Sequence, residues 1–385
     1  SLQFSVIVMT SHTPVNLQEY AVLAKEKIAK NAFDYYASGS NDMITLSENK
    51  AAFTRLRILP RIFKNVKTVD TQTTVLGARI PFPICLAPTA MQKMAHPDGE
   101  VATAKACARH GTLMTLSSWS TTSLEEVSES SPGGLRWFQL YVYKDRKVTL
   151  DLIRRAERSG YTAIAVTADT PILGRREPDL RNGFSLPSHL TMANFVSQGG
   201  AHSSGTKAAG KSGSGLASYV ASLIDRELTW DVIAWLRSVT KLKIVIKGVM
   251  TAEDAAIAAW KHGVDGVWVS NHGARQVDTV PATVEVLPSI VAAVEGSGVE
   301  VFIDGGIDRG TDVFKCLALG ARAVFIGRPV LWGLGVAGEE GVHHAMELLR
   351  AEFELAMALS GCNKLTDLTP DMITTSLALL HKSKL

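Results

Sequence analysis

The sequence predicts a (β/α)8 barrel on three observations. From residue 83 onward, short apolar runs alternate eight times with polar or glycine-rich breaks and helical patterns. Each run ends in polar or charged residues, which in a barrel meet at the carboxyl rim, where active sites form. The break at 270–276 alone supplies a histidine, an arginine and a glycine directly after a buried strand. A doubly wound open sheet is the competing fold.

Length and composition are those of a globular chain with a large core. The 385 residues are 46% hydrophobic and 20% charged. The net charge of +3 is small, and no basic run is interleaved with aromatic residues, so nucleic acid is not expected as a partner. The four cysteines lie far apart without a C-x-x-C pair, which favours buried thiols in a reducing compartment over disulfides or a zinc site.

The chain before the first barrel strand is predicted to be a tail followed by helices. In the tail, 1–14, the apolar stretch 4–9 is too short to span a bilayer and lacks the basic flank of a signal peptide, so no membrane insertion is expected. From 15 to 59, apolar residues recur at helical spacing, and this helical extension should cover one barrel end. Residues 15–380 are expected to form one domain.

Eight strands are predicted after the extension, each a short apolar run. Patterns of helical spacing separate them, for example in 149–159 and 251–261. The predicted strands are 83–88, 113–118, 136–141, 163–169, 242–248, 266–271, 299–306 and 323–329.

The connection after the fourth strand, 170–229, is far longer than an ordinary crossover. Its centre, 197–215, is rich in glycine, serine and alanine, which predicts a mobile loop over about 184–229 that acts as a lid. The C-terminal tail, 381–385, ends in Ser-Lys-Leu at 383–385, the tripeptide read by the peroxisomal import receptor. A peroxisomal location is therefore expected.

A glycine-rich motif near the C-terminus invites a nucleotide-binding interpretation. GLGVAG at 333–338 fits G-x-G-x-x-G and lies between a strand and a helix. A dinucleotide site also needs a further strand with an acidic residue about twenty residues later. The chain instead continues in a long helical pattern, and we interpret these glycines as a loop.

Two other glycine-rich breaks predict a phosphate site. DGG (304–306) ends the seventh strand and GRP (327–329) ends the eighth. In (β/α)8 barrels the loops after these two strands commonly bind phosphate, because glycine lets backbone N–H groups approach the anion. A phosphorylated ligand is expected at this edge.

The strand ends also supply groups for acid–base chemistry and for anion binding. His272 titrates near neutral pH, and Asp169 can stabilise its imidazolium, which favours His272 as a base. Arg275 offers a planar fork for a carboxylate, and Arg176 is a second candidate. Lys247, at the end of the fifth strand, can hold a Schiff base or stabilise negative charge on a cofactor.

Five longer motifs stand out: DYYASG (34–39), APTAMQKMAHPDGE (87–100), FQLYVYKDR (138–146), DTPILGRRE (169–177) and SNHGARQ (270–276). Together they resemble the FMN-dependent 2-hydroxy-acid oxidases, most closely the glycolate oxidase branch found in peroxisomes of plants and algae. The family fold is also a (β/α)8 barrel. The resemblance implies oxidation of glycolate to glyoxylate with O2 as acceptor and H2O2 as product, in a homo-oligomer (a tetramer or octamer).

The resemblance implies catalytic roles for individual residues. His272 would take a proton from the substrate, with Asp169 supporting its charged form. The resemblance leaves a carbanion route and a hydride route both open. Arg275 and Arg176 would clamp the substrate carboxylate. Lys247 would stabilise the reduced flavin.

Further residues are implied in binding substrate and cofactor. Tyr35 and Tyr141 would bind the polar groups of the substrate, Tyr141 at the reacting centre, and Trp119 would favour glycolate over longer acids. The flavin would be held by Pro88, Thr89, Ala90, Ser117, Gln139, Thr167 and Ser270 at its ring, by Asp304 at the ribityl chain, and by Gly305, Gly306, Ile307, Asp308, Gly327 and Arg328 towards the phosphate.

Other functions remain open on the residues alone. Within the same chemistry, the chain can be an L-lactate oxidase or a dehydrogenase that uses another acceptor. A Schiff-base aldolase would use Lys247 beside the phosphate site. An FMN-binding protein without turnover is the alternative outside enzymes.

One position departs from the family pattern. The family usually has an arginine that contacts the FMN phosphate where this chain has Asp308, followed by Arg309. The lost pair is worth about 1–3 kcal/mol, and Arg309 or Arg328 is expected to compensate. Asp308 itself should contribute a backbone contact at most.

We therefore expect Asp308→Arg to tighten FMN binding, because it replaces a repulsive charge with an attractive one. Flavin-fluorescence titration of the chain stripped of FMN measures this affinity. Equal or weaker affinity would count against the expectation.

Overall fold

The structure is a computed structural model and describes residues 13–195 and 222–375. The strands are β1 (Leu56–Ile58), β2 (Thr73–Val75), β3 (Ala78–Ile80), β4 (Ile84–Leu86), β5 (Leu113–Leu116), β6 (Leu135–Leu140), β7 (Ala163–Thr167), β8 (Lys243–Val249), β9 (Gly266–Val269), β10 (Glu300–Asp304), β11 (Ala323–Ile326) and β12 (Ile373–Thr375). The α-helices are α1 (Leu17–Lys27), α2 (Lys30–Ala37), α3 (Ile44–Arg55), α4 (Gly99–His110), α5 (Leu124–Ser130), α6 (Arg146–Arg158), α7 (Glu177–Arg181), α8 (Val232–Val239), α9 (Ala252–Ala256), α10 (Thr283–Val294), α11 (Gly310–Ala318) and α12 (Arg328–Leu359).

Strands β4 to β11 close into a parallel barrel, which confirms the predicted fold. Each strand pairs with the next one along the chain, and β11 pairs back with β4. Every predicted strand range overlaps an observed strand. The closed ring rules out the doubly wound sheet. Because all eight strands are parallel, their carboxyl ends lie at one rim, where the site residues were expected.

Aromatic side chains fill the interior of the barrel. Trp268 and Phe325 have ring centroids 3.9 Å apart, and Trp137 lies 5.2 Å from Phe302. All four side chains are buried. They form one cluster with Val75 and other residues of the β2–β3 hairpin. The hairpin therefore packs on the barrel interior, a contact that the sequence analysis did not predict.

The N-terminal helices divide between the barrel wall and the carboxyl rim. Helix α1 packs along α12, where the Tyr20 hydroxyl lies 2.8 Å from His344 Nδ1. Helices α2 and α3 reach the rim and place Tyr35 and Asn49 in its pocket. The expectation that this extension covers one barrel end is therefore right for α2 and α3 and wrong for α1, whose apolar face is buried along the barrel wall.

The glycine motif at 333–338 lies inside α12, so its interpretation as a loop was wrong. The helix is broken only at Ala337 and Gly338, which have non-helical backbone angles. Glycine is needed at Gly333 because a Cβ there would lie 2.5 Å from the carbonyl oxygen of Gly341, across the break. The motif thus allows two parts of one helix to pack closely.

Several predictions fall on residues that the structure does not describe. The centre of the lid, 196–221, lies outside the described residues, as do the tails 1–12 and 376–385 with the Ser-Lys-Leu tripeptide. All four cysteines are described and are free and buried, as predicted. Within the described ranges, no helix combines the length and the apolar character needed to cross a membrane.

Replacing Phe302 with alanine should destabilise the protein by about 3–5 kcal/mol, because it leaves a cavity inside the barrel. Urea unfolding of the chain stripped of cofactor measures the change. Ile62→Ala is the control, since that side chain is 75% exposed and should change stability by no more than about 0.5 kcal/mol. Equal effects for the two variants would contradict the packing described above.

Candidate active site

One pocket at the carboxyl rim brings together most of the predicted site residues. Asp169 and Ser270 do not line it and lie directly behind, in contact with lining residues. The predicted residues that line the pocket are Tyr35, Pro88, Thr89, Ala90, Ser117, Trp119, Gln139, Tyr141, Thr167, Arg176, Lys247, His272, Arg275, Asp304, Gly305, Gly306, Ile307, Asp308, Gly327 and Arg328.

The pair formed by His272 and Asp169 is the candidate base of the site. His272 Nδ1 lies 2.8 Å from Asp169 Oδ1, and the Thr170 hydroxyl donates to the same oxygen at 2.7 Å. A carboxylate can only accept, so Nδ1 carries the proton and donates it to Asp169. The other ring nitrogen, Nε2, is then free to accept a proton from a ligand.

The charges of this pair suit a base at neutral pH. Burial lowers the pKa of His272, and the negative charge of Asp169 opposes this effect. Burial alone would raise the pKa of Asp169, but the charge and hydrogen bond of His272, together with Lys247, lower it. The carboxylate is therefore ionised and the imidazole is neutral before reaction.

A strained backbone presents His272 to the pocket. His272 (φ 58°), Gly273 (φ 61°) and Ala274 (φ 63°) are three successive residues in the left-handed region. Side chains persist there only where the surroundings hold them. The Asn271 amide does so by accepting from Ala274 N at 3.1 Å. Two hydrogen bonds of 3.0 and 2.7 Å join this amide to that of Asn49, so α3 fixes the loop that carries the base.

Gly248 leaves the space that Asp169 occupies. Its φ of +104° lies at an irregularity where β8 shifts its register against β9. A Cβ on Gly248 would lie 2.6 Å from the Cβ of Asp169. Only glycine combines this backbone angle with room for the carboxylate.

Two arginines form a clamp for an anion. Arg275 donates to the carbonyl oxygens of Tyr35 and Ser38, and its guanidinium lies 4.7 Å from the centre of the Tyr35 ring. Arg176 Nε donates to the Arg275 carbonyl at 3.4 Å. Burial, followed by the charge of Arg176, lowers the pKa of Arg275 to about 9, so it stays cationic at neutral pH. Two buried cations that face one pocket favour a carboxylate, which each can bind through two hydrogen bonds.

Aromatic residues limit the space beside the clamp. The Trp119 ring is buried 5.0 Å from that of Tyr141, and its Nε1 donates to the Tyr143 hydroxyl at 3.1 Å. Burial, reinforced by the charge of Asp169, raises the pKa of Tyr141, so its hydroxyl stays protonated and can donate to a ligand. This wall suits a ligand with a small substituent.

Lys247 brings a buried positive charge to the other side of the pocket. Its side chain is only 6% exposed, and its ammonium donates to Ser270 Oγ at 2.8 Å and lies 3.4 Å from Asp304 Oδ2. Nearby, Gln139 Nε2 donates to the Thr167 hydroxyl at 3.0 Å. A buried ammonium surrounded by amide and hydroxyl groups fits a polar ring that becomes anionic on reduction, as a flavin does.

The loop after β10 offers free backbone donors for a phosphate. The N–H groups of Gly306 and Ile307 have no acceptor among the described residues. At the N-terminus of α12, Pro329 has no N–H and the Val330 N–H donates to the Gly327 carbonyl at 3.1 Å, so the Arg328 N–H is the donor there without an acceptor among the described residues. These donors fit the FMN phosphate at the predicted edge.

One expectation for this loop was wrong, and for another only one of its two candidate residues lines the pocket. The Asp308 N–H already donates to Asp312 Oδ2 at 3.2 Å, so it cannot supply the expected backbone contact. Of the two residues expected to compensate for the missing arginine, Arg309 pairs with Glu352 of α12 at 2.7 Å and does not line the pocket, whereas Arg328 does. In both cases the loop is hydrogen-bonded to a following helix before any ligand binds.

The pocket also contains residues that sequence reasoning missed. They come mainly from α2, α3 and the start of α12: Tyr36, Asn49, Lys50, Leu331 and Trp332. No strand pattern marks them, because they belong to helices whose docking on the rim is set by tertiary contacts. The ENK run at 48–50, polar within an otherwise amphipathic helix, is the one available signal.

Fold and site together define a barrel oxidoreductase with a base, a carboxylate clamp and a flavin nucleotide pocket at one rim. The model of the FMN-dependent dehydrogenase family matches residues 24–375. The chain belongs to this family, and FMN is its cofactor. The aldolase interpretation of Lys247 is therefore set aside.

Individual relatives agree with this assignment. The chain is 56% identical over 360 residues to glycolate oxidase 1 of Zea mays, covering 94% of this chain and 95% of that one. It is 55% identical over 348 residues to 2-hydroxyacid oxidase 1 of Mus musculus, covering 90% and 93%. Among solved structures, a soluble mutant of the membrane-associated (S)-mandelate dehydrogenase from Pseudomonas putida has a TM-score of 0.86 at 34% identity, covering 94% and 100%.

Asp169→Asn should move the acid limb of the pH profile of kcat/KM to lower pH. Asp169 raises the pKa of His272, so without its charge burial lowers that pKa further. We also expect kcat to fall by a factor on the order of 10²–10⁴, because the imidazolium loses its partner. Asp265→Asn, at the opposite rim, should leave the acid limb in place. An unmoved limb in Asp169→Asn would remove Asp169 from this role.

Proposed function

We propose that the chain oxidises a short 2-hydroxy acid, with glycolate as the leading substrate and glyoxylate as the product. The observation that carries this proposal is the position of the His272–Asp169 pair in one pocket with the two-arginine clamp. A carboxylate held by the clamp puts the neighbouring hydroxyl-bearing carbon within the reach of a base. The relatives named as glycolate oxidase and 2-hydroxyacid oxidase support the same chemistry.

Different side chains bind the substrate and take its proton. Arg176 and Arg275 bind and orient the carboxylate, and the Tyr141 hydroxyl donates to the substrate oxygen. His272 Nε2 takes a proton, and Asp169 stabilises the imidazolium that results. FMN, when bound, accepts the two electrons.

The buried Trp119 favours the smallest substrates. Its ring is fixed by the Tyr143 hydroxyl and packs on Tyr141, so it cannot easily move aside for a larger substituent. Glycolate has no substituent on its hydroxyl-bearing carbon, whereas L-lactate has a methyl group. Glycolate is therefore the preferred substrate in this proposal.

The electron acceptor and the cellular location complete the proposal. With O2 as acceptor the overall reaction is glycolate plus O2 giving glyoxylate plus H2O2. Release of H2O2 suits a peroxisome, and the Ser-Lys-Leu tripeptide at 383–385 is the corresponding address for the import receptor. We also propose that the chain works as a homo-oligomer, a tetramer or octamer.

The test is the visible spectrum of the purified, FMN-loaded protein before and after anaerobic glycolate. We expect glycolate to bleach the flavin faster than L-lactate does, and air to restore the colour with one H2O2 per turnover. His272→Gln should keep FMN but lose most of this reduction, on the order of 10²-fold or more in rate, because it lacks the base.

Four results would contradict the proposal. Flavin that glycolate leaves yellow would indicate an FMN-binding protein without turnover. Faster bleaching by L-lactate would make the chain a lactate oxidase, and slow recovery in air would make it a dehydrogenase. Near-normal reduction in His272→Gln would remove the proposed base.

A further inference from the structure

The phosphate end of the pocket contains an ion pair that the assigned function does not use. Lys50 of α3 and Asp308 of the loop after β10 form this pair, and both line the pocket. The Lys50 side chain is 58% exposed and that of Asp308 is 18% exposed. The ammonium therefore lies at the pocket mouth, on the carboxylate of Asp308, the residue that follows Gly306 and Ile307 in the chain.

Close packing of α3 fixes the position of this pair. The backbone of Asn49 lies directly on Gly306, where a Cβ would overlap the Asn49 carbonyl oxygen. Gly306 has φ +77°, a backbone angle that further favours glycine. Lys50 follows Asn49 in the chain, so its side chain starts one residue away from the phosphate cradle.

The other cations near the cradle already have protein partners. Arg309 pairs with Glu352. Arg328 lines the pocket, and its Nε and Nη2 donate to three backbone carbonyls, those of Tyr36, Ser38 and Gly273, at 2.8–3.0 Å. These contacts hold α2 and the loop of the base in place and leave only the Nη1 donors of Arg328 for a ligand.

We propose that Lys50 is a second side-chain cation, beside Arg328, that binds the FMN phosphate, and that Asp308 holds it at the cradle. A lysine ammonium has three donors, so it can keep Asp308 and still donate to a phosphate oxygen. Asp308 is then a positioning residue for Lys50, and its acidic side chain is compatible with a nearby dianion because the ammonium lies between them. The inference rests on FMN as the cofactor and concerns binding only.

The experiment compares FMN with riboflavin, which lacks the phosphate, by fluorescence titration of the full chain stripped of FMN. Lys50→Met should raise the Kd for FMN about tenfold, the effect of losing one hydrogen bond to a charged group. The same variant should change the Kd for riboflavin by less than about twofold, because the ring contacts are intact. Added salt should weaken FMN binding less in the variant than in the parent chain.

The chain offers a closely matched control. Lys243 pairs with Asp265 at the opposite rim, with exposures of 55% and 16% for the two side chains. Lys243→Met should change neither Kd. Lys50→Arg keeps the cation and should restore FMN affinity to within about threefold of the parent, which separates lost charge from disturbed folding.

Two outcomes would overturn the proposal. One is an unchanged Kd for FMN in Lys50→Met, and the other is an equal loss for FMN and riboflavin that Lys50→Arg shares. Because binding is measured, the result is independent of turnover. A chain that binds FMN but does not oxidise glycolate would overturn the proposed function. The FMN and riboflavin titrations would still test the role of Lys50 in that case.

Discussion

The contact between His272 and Asp169 is the interaction on which the rest of the site depends. It fixes which ring nitrogen is protonated, and it stabilises the imidazolium, because the charge of Asp169 raises the pKa of His272 against the lowering effect of burial. Other features of the rim hold His272 and Asp169 in position. Gly248 makes room for the carboxylate, and the Asn49–Asn271 amide pair holds a backbone that would otherwise relax away from the left-handed region.

Opposite charges are balanced over short distances around this contact. The clamp of Arg176 and Arg275 faces the pocket with only partly compensating carboxylates, which makes it attractive to an anionic substrate. The ammonium of Lys247 is shielded by Ser270 and Asp304 and faces the ring side of the pocket. One barrel rim therefore carries two separate positive charges that face the pocket, the two-arginine clamp and the Lys247 ammonium, each with its own protein partners.

Strand order, barrel closure and most rim residues could be predicted from sequence, because all three follow from local patterns. A strand that ends in Lys247 or His272 must present that residue at the carboxyl rim once the strands are parallel. The failures concern tertiary contacts. The glycines at 333–338 fit a loop as well as a close helix packing, and nothing in the sequence shows that the Asp308 N–H is taken by Asp312. The contribution of α3 was missed for the same reason.

Helix α3 has a consequence for how the enzyme is made. Asn49 and Asn271 are 222 positions apart in the chain, so the histidine loop gains its support only after the ribosome has produced six of the eight barrel strands. Loop closure over such a separation is slow compared with local helix formation. A nascent or partly folded chain therefore lacks this support for the histidine loop until α3 has docked on the barrel.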